Sequence, residues 1–91
     1  MSNPYRVIKD MTEEFNIIAS KNYEFPKDVK IEKVLVLVDD RTDAYYLDVY
    51  YIMDNITHNV TFRIYPSLSS TIDTVLWYIK DIYARYHEVK V

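Results

Sequence analysis

Apolar residues near the start of the chain recur at helical intervals, with charged residues mostly on the opposite side. The stripe consists of Ile8, Met11, Phe15 and Ile18. Asn3 followed by Pro4 has the arrangement of an N-cap and a first helical residue. The pattern therefore predicts a first helix over residues 4–21.

Three runs rich in β-branched and aromatic residues follow, over residues 29–38, 44–53 and 58–65. They predict strands, and the short polar segments between them predict antiparallel hairpins. The first run is also compatible with helical spacing, through Val29, Glu32, Lys33 and Val36 among others, although its β-branched content favours a strand. Because the chain has no glycine, Asp and Asn are expected at any turn position with positive φ.

A second helix is predicted to start within residues 67–73, where Ser70 and Asp73 have the spacing of a capping box. Its apolar stripe comprises Ile72, Val75, Leu76, Ile79, Ile82, Tyr83 and Tyr86. The predicted fold is a single α+β domain over residues 1–91 with the order α-β-β-β-α. Two helices would cover one face of a three-stranded antiparallel sheet.

Composition removes several classes of function. The chain has no cysteine, which excludes disulfides, thiolate nucleophiles and cysteine-based metal sites. The lack of glycine disfavours phosphate-binding loops and nucleophile elbows. A net charge of −3, with both signs spread along the chain, disfavours a surface that follows nucleic-acid phosphates. A polar N-terminus and the lack of a long apolar run predict a cytoplasmic protein without membrane contact.

Alternation along the second strand places tyrosines on the face that the helices would leave uncovered. Its other side, with Leu47, Val49 and Tyr51, suits the core. The candidate binding residues on the uncovered face are Tyr46, Asp48, Tyr50, Ile52, Arg63 and Tyr65. Tyrosine is enriched in interface cores, so we predict a protein-binding or dimerisation face. A solvated sheet surface is the alternative, because tyrosine is also a good strand former.

The same face suggests a competing function, single-stranded RNA binding by tyrosines that stack on bases. Asp48 and the acidic balance of the chain disfavour it. Nucleic-acid binding would require Lys30, Lys33 and Arg63 to lie on one surface.

Other candidate chemistry is sparse. Asp39, Asp40 and Asp43 cluster in one turn, with Asp54 in another; they could hold a hard cation, mimic phosphates for a basic partner, or simply be solvated turn residues. The two histidines, His58 and His87, lack metal-ligand spacing and have no nucleophile motif beside them. We therefore predict no catalytic residue, no metal and no cofactor.

The α-β-β-β-α order resembles that of the double-stranded RNA-binding domain. That family's basic, glycine-containing start of the second helix is missing from residues 67–73, so its RNA contacts are not carried over. The order is also similar to that of small phage and archaeal-virus proteins, including some anti-CRISPR inhibitors. Residues 68–80 look like the last helix of the small dimerising subunit of the KEOPS tRNA-modification complex, with Ser69 where that family has arginine.

These resemblances imply either a small inhibitor encoded by a virus or mobile element, or a dimerising subunit of a larger complex. Both agree with the prediction from the residues. That prediction is a non-enzymatic protein that binds a protein partner and forms a homodimer.

Overall fold

Six elements make up the computed structural model, which describes residues 4–87. They are β1 (Tyr5–Asp10), α1 (Thr12–Lys21), β2 (Lys30–Asp39), β3 (Ala44–Met53), β4 (Ile56–Arg63) and α2 (Leu68–Tyr86). The strands form one antiparallel sheet in the order β1-β2-β3-β4. The α+β class is confirmed, with the order β-α-β-β-β-α.

The N-terminal segment corrects the predicted helix over residues 4–21 and the predicted three-stranded sheet. Tyr5–Asp10 is a strand that pairs with β2, so the sheet has four strands. The helix begins only at Thr12, where the Asp10 carboxylate accepts hydrogen bonds from the Thr12 amide and hydroxyl, at 3.0 and 2.6 Å. Pairing with a distant strand outweighed the local helical spacing. Asn3 lies outside the described residues.

The three predicted strands correspond to β2, β3 and β4, and their turns use the expected residues. Positive φ angles occur at Asp43 (58°), Asp54 (55°) and Asn55 (65°). These residue types tolerate the left-handed region better than most others. Two tight antiparallel hairpins therefore form without glycine.

The second helix starts slightly earlier than its predicted capping box. Ser67 is the N-cap in extended conformation, and its side chain accepts from the Ser70 amide at 3.1 Å while the Ser70 hydroxyl accepts from the Ser67 amide at 3.2 Å. The box is thus formed by Ser67 and Ser70, not by Ser70 and Asp73, because the helix already begins at Leu68.

Both helices contribute to one hydrophobic core on one side of the sheet. Helix α1 packs against β2, whereas α2 packs against β3 and β4. The largest fully buried side chains are Phe15, Val34, Leu47, Val49, Val75 and Ile79. Neither helix within residues 4–87 is long and apolar enough to cross a membrane.

Candidate functional site: the open face of the sheet

Strand β3 shows which side of the sheet the helices cover. Leu47 and Val49 are fully buried in the core shared with α1 and α2. The alternating residues Tyr46, Tyr50 and Ile52 are half-buried on the other side. No helix of the described residues packs there, so this side is the candidate site.

We call this side the open face and define it by the pairing of the strands. Side chains of directly paired residues lie on the same face of a sheet. The central residues of the face are Tyr5 and Val7 on β1, Lys33, Leu35 and Leu37 on β2, Tyr46, Asp48, Tyr50 and Ile52 on β3, and Asn59, Thr61 and Arg63 on β4.

Five of the six predicted binding residues lie together on the open face. Arg63 pairs with Tyr46, and Tyr50 lies four residues further along the same strand. Tyr65 does not belong to the set, because β4 ends at Arg63 and the Tyr65 amide instead donates to the Thr71 hydroxyl at 3.1 Å. The strand alternation that motivated the choice of Tyr65 has stopped before that residue.

Sequence reasoning missed the contribution of β1. Tyr5 and Val7 extend the open face beyond β2, with exposed fractions of 41% and 54%. The Tyr5 ring meets the Tyr46 ring edge-on, with centroids 5.7 Å apart, a favourable geometry for aromatic pairs. Assigning these residues to a helix hid the pattern, although their β-branched and aromatic content is typical of a strand.

Asp48 lies near the centre of the open face and is nearly buried, at 8% exposure. Its carboxylate accepts from the Asn59 amide nitrogen at 2.6 Å and from the Thr61 hydroxyl at 2.9 Å. A buried carboxylate is tolerated when hydrogen bonds replace its hydration. Asp48 therefore fixes two neighbouring side chains of β4 and is engaged within the fold.

An ion pair between Asp39 and Arg41 lies at one end of the open face. Asp39 is buried and accepts from Arg41 Nε and the Arg41 terminal nitrogen at 3.1 and 3.0 Å. The side-chain hydrogen bonds from Arg41 hold the pKa of Asp39 below its ordinary value. The carboxylate is thus ionised and occupied at neutral pH.

The strands of the open face carry charges of both signs. The charged strand residues of this face are three cations and three carboxylates: Lys30, Lys33, Arg63, Asp10, Asp39 and Asp48. Arg41, which pairs with Asp39, adds a fourth cation at one end of the face. The cations share the face, as nucleic-acid binding would require, but four residues of β3 separate the rows of Lys33 and Arg63, roughly 13 Å along the strand. Carboxylates lie among them, so they form no continuous basic patch.

The acidic turns do not form a cation site among the described residues. No group of three or more His, Cys, Asp or Glu side chains in residues 4–87 could hold a metal ion. Asp39 is held by Arg41, and Asp40 pairs with Arg6 at 3.1 Å. Asp54 lies in the other hairpin turn and contacts His87.

The two histidines lie apart and make different contacts. His58 on β4 stacks on Tyr51, with ring centroids 5.1 Å apart. His87 Nδ1 lies 2.9 Å from the Tyr83 carbonyl oxygen, and Nε2 lies 2.9 Å from the Asp54 carboxylate. Hydrogen bonds to Tyr83 and then to Asp54 raise the pKa of His87, because both acceptors favour the protonated ring. His87 thereby joins the end of α2 to the β3–β4 turn.

Comparisons of the chain with protein-family models, curated proteins and solved structures give no match.

Proposed function

We propose that this chain is a small, non-enzymatic protein-binding module whose contact surface is the open face. The observation that carries this proposal is a four-stranded sheet covered by helices on one side only within residues 4–87. The other side bears tyrosines, leucines and a valine around one satisfied carboxylate. Contiguous apolar surface of this kind is typical of interaction sites in soluble proteins.

The first occupant that we propose for the open face is a second copy of the chain. Its cations and carboxylates are nearly equal in number, so two copies of the face meet without strong net repulsion. A polyanion such as RNA would meet the carboxylates as well as the cations. Homodimers with two-fold symmetry use one self-complementary patch on each subunit, which this mixed surface suits.

A binding protein without catalytic groups acts by occupying a surface of its partner. An inhibitor of the kind encoded by viruses and mobile elements would use the open face in this way. The same reasoning applies to a small dimerising subunit of a larger complex. Both remain forms of the one proposed activity, protein binding through the sheet.

Replacing Tyr50 with Asp tests the proposal. Tyr50 is half-buried on β3, and a carboxylate there would have to be desolvated when a partner covers the face. We expect Tyr50→Asp to weaken self-association by about tenfold or more. Light scattering after size exclusion, over a dilution series, measures this as a lower average mass at matched concentration.

Trp77→Asp provides the matched control. Trp77 is 60% exposed on α2, which packs on the other side of the sheet, and the change is again from aromatic to acidic. We expect Trp77→Asp to leave the average mass unchanged, and thermal unfolding of both variants verifies that the fold is retained. Equal masses for the original chain and Tyr50→Asp would overturn the proposal, as would an equal loss in Trp77→Asp.

A further inference from the structure

The two edge strands of the sheet, β1 and β4, differ in how well they are protected from pairing with another chain. Strand β1 is short, and its register with β2 shifts between Val7 and Lys9. Lys9 pairs with Glu14 at 2.9 Å, and Arg6 pairs with Asp40 at 3.1 Å. A short strand, a bulge and charged side chains are the usual devices that prevent an edge from pairing with another chain.

Strand β4 has no bulge, and its only Lys, Arg, Asp or Glu is Arg63 at its end. Its residues Ile56–Arg63 keep an unbroken register with β3, and they include no proline and no Lys, Asp or Glu. Arg63, at the end of the strand, is its one charged residue apart from the titratable His58. Among residues 4–87, no strand pairs with the outer side of β4. Such an edge is a ready template for another strand.

The hydrogen bonds to β3 establish which backbone groups of β4 point outward. The Ile64 amide donates to the Tyr45 carbonyl at 2.8 Å. Ile64 and Tyr45 are therefore a hydrogen-bonded pair, next to the pair of Arg63 and Tyr46. Hydrogen-bonded and non-hydrogen-bonded pairs alternate along antiparallel strands. The amide and carbonyl groups that point away from β3 therefore belong to Thr57, Asn59, Thr61 and Arg63.

We infer that a second copy of the chain pairs with β4 along its own β4, antiparallel, with a two-fold axis at Val60. This arrangement places Asn59 opposite Thr61 of the second copy and Thr57 opposite Arg63 of the second copy. All four of these residues have outward-pointing backbone groups, so each pair exchanges hydrogen bonds. The two sheets become one continuous eight-stranded sheet.

The side chains on the helix-covered side of β4 suit this register. Val60 meets its own copy, and His58 meets Phe62 of the second copy. Ile56, which is 59% exposed, comes to lie opposite Ile64 of the second copy. Cross-strand pairs of β-branched and aromatic residues are stabilising.

Other registers are less favourable. If the pairing shifted by one residue, the helix-covered face of one copy would lie on the same side as the open face of the other. If Asn59 lay on the axis, Arg63 would extend beyond β4 of the second copy. Arg63 would then have no hydrogen-bonded partner within that strand. The register centred on Val60 uses all the outward-pointing groups of β4.

This interface is distinct from the proposed function, because pairing at the edge leaves the open face uncovered. The dimer would present two open faces side by side on one sheet. Each copy would then have two contact surfaces, one on the sheet face and one at its edge. Variants on either surface can be made without touching the other.

A cysteine on the proposed axis tests the register. The chain has no cysteine, so Val60→Cys introduces a single thiol of similar size. Non-hydrogen-bonded pairs place Cα atoms about 4.5 Å apart, within the range that a disulfide spans. We expect Val60→Cys to form a disulfide-linked dimer under mild oxidation, which doubles the 11.0 kDa mass on a non-reducing gel.

Ile56→Cys is the matched control on the same strand, because Ile56 is exposed and lies on the helix-covered side, as Val60 does. In this register residue 56 lies eight residues from its own copy, roughly 26 Å along the strand, too far for a disulfide. We expect Ile56→Cys to remain a monomer on the gel. The inference is overturned if Val60→Cys stays monomeric or if both variants crosslink equally. Should Val60→Cys fail to fold, mixing His58→Cys with Phe62→Cys tests the same register.

Combining the variants separates this inference from the proposed function. Val60→Cys should still crosslink when Tyr50→Asp is added, because the open face takes no part in the edge pairing. Crosslinking with an unchanged mass for Tyr50→Asp alone would support the edge and contradict the open face. Loss of the crosslink in the combined variant, with its fold retained, would contradict an independent edge interface.

Discussion

Both faces of β3 are largely apolar, but they have different surroundings. Leu47 and Val49 are fully buried under the helices, whereas Tyr46 and Tyr50, one residue away, are half-buried with no helix over them in the described chain. Strands that are apolar on both faces normally belong to sheets that are covered on both faces. The difference between the faces therefore lies in what covers them, because tyrosine occurs on both sides of β3, with Tyr51 buried in the core. An apolar face without a covering helix is the feature on which the proposed contact surface rests.

Asp48 marks a second difference between the faces. The core face of β3 has no charged residue, but the open face contains this nearly buried carboxylate and its two hydrogen-bond donors, Asn59 and Thr61. A polar group that is satisfied within the fold interrupts the apolar surface without demanding a partner. Asp48 therefore needs no hydrogen-bond donor from outside the chain.

The largest expected effect comes from a matched pair of leucine truncations on the two faces. Leu47 is fully buried in the core, whereas Leu37 is half-buried on the open face. We expect Leu47→Ala to lower the free energy of unfolding by about 2–5 kcal/mol. Leu37→Ala should cost roughly half as much or less, because it returns less apolar surface to water. Urea unfolding at a concentration where the chain is monomeric measures both, and equal losses would contradict the distinction between the faces.

A smaller effect is expected from removing the carboxylate of the open face. Asp48→Ala leaves the Thr61 hydroxyl without this acceptor and leaves the Asn59 amide only its bond to the Val49 carbonyl. We expect a cost of about 1–3 kcal/mol of unfolding free energy. Asp40→Ala is the control, because Asp40 forms an exposed ion pair with Arg6 that contributes about 0–1 kcal/mol. A neutral or stabilising Asp48→Ala would show that the network does not hold β3 and β4 together.

Alternation along β3 allowed both of its faces to be predicted from the sequence. The period of two separates Leu47 and Val49 from Tyr46 and Tyr50 without any tertiary information. The second helix and the two hairpins were likewise predictable, because Ser67, Asp43 and Asp54 belong to residue types that suit caps and turns.

For strand β1 the local pattern favoured a helix over the strand that its residue types also suit. Ile8, Met11, Phe15 and Ile18 recur as they would in one helix, yet Ile8 belongs to a strand and Phe15 to α1. The pairing that decides the matter joins β1 to β2, a contact between residues far apart in sequence. The missing strand also removed Tyr5 from the predicted open face.

The orientation of β2 was hidden for a different reason. Its register with β3 shifts between Ile31 and Lys33, so the core face changes from odd to even residues, with Val34 buried after Ile31. Because every residue from Val34 to Val38 is apolar, alternation could not show which ones face the helices. Leu35 and Leu37 were therefore not assigned to the open face.

Hydroxyl-radical footprinting across a dilution series tests the central claim most directly, because it reads the exposure of individual side chains. We predict that oxidation of Tyr46 and Tyr50 falls as concentration rises, because a second copy would cover the open face under the proposed function. Tyr23, which is 89% exposed, and Trp77 on α2 should be oxidised equally at every concentration. Oxidation of Tyr46 and Tyr50 that does not change with concentration, or protection that appears at Trp77 instead, would contradict the account.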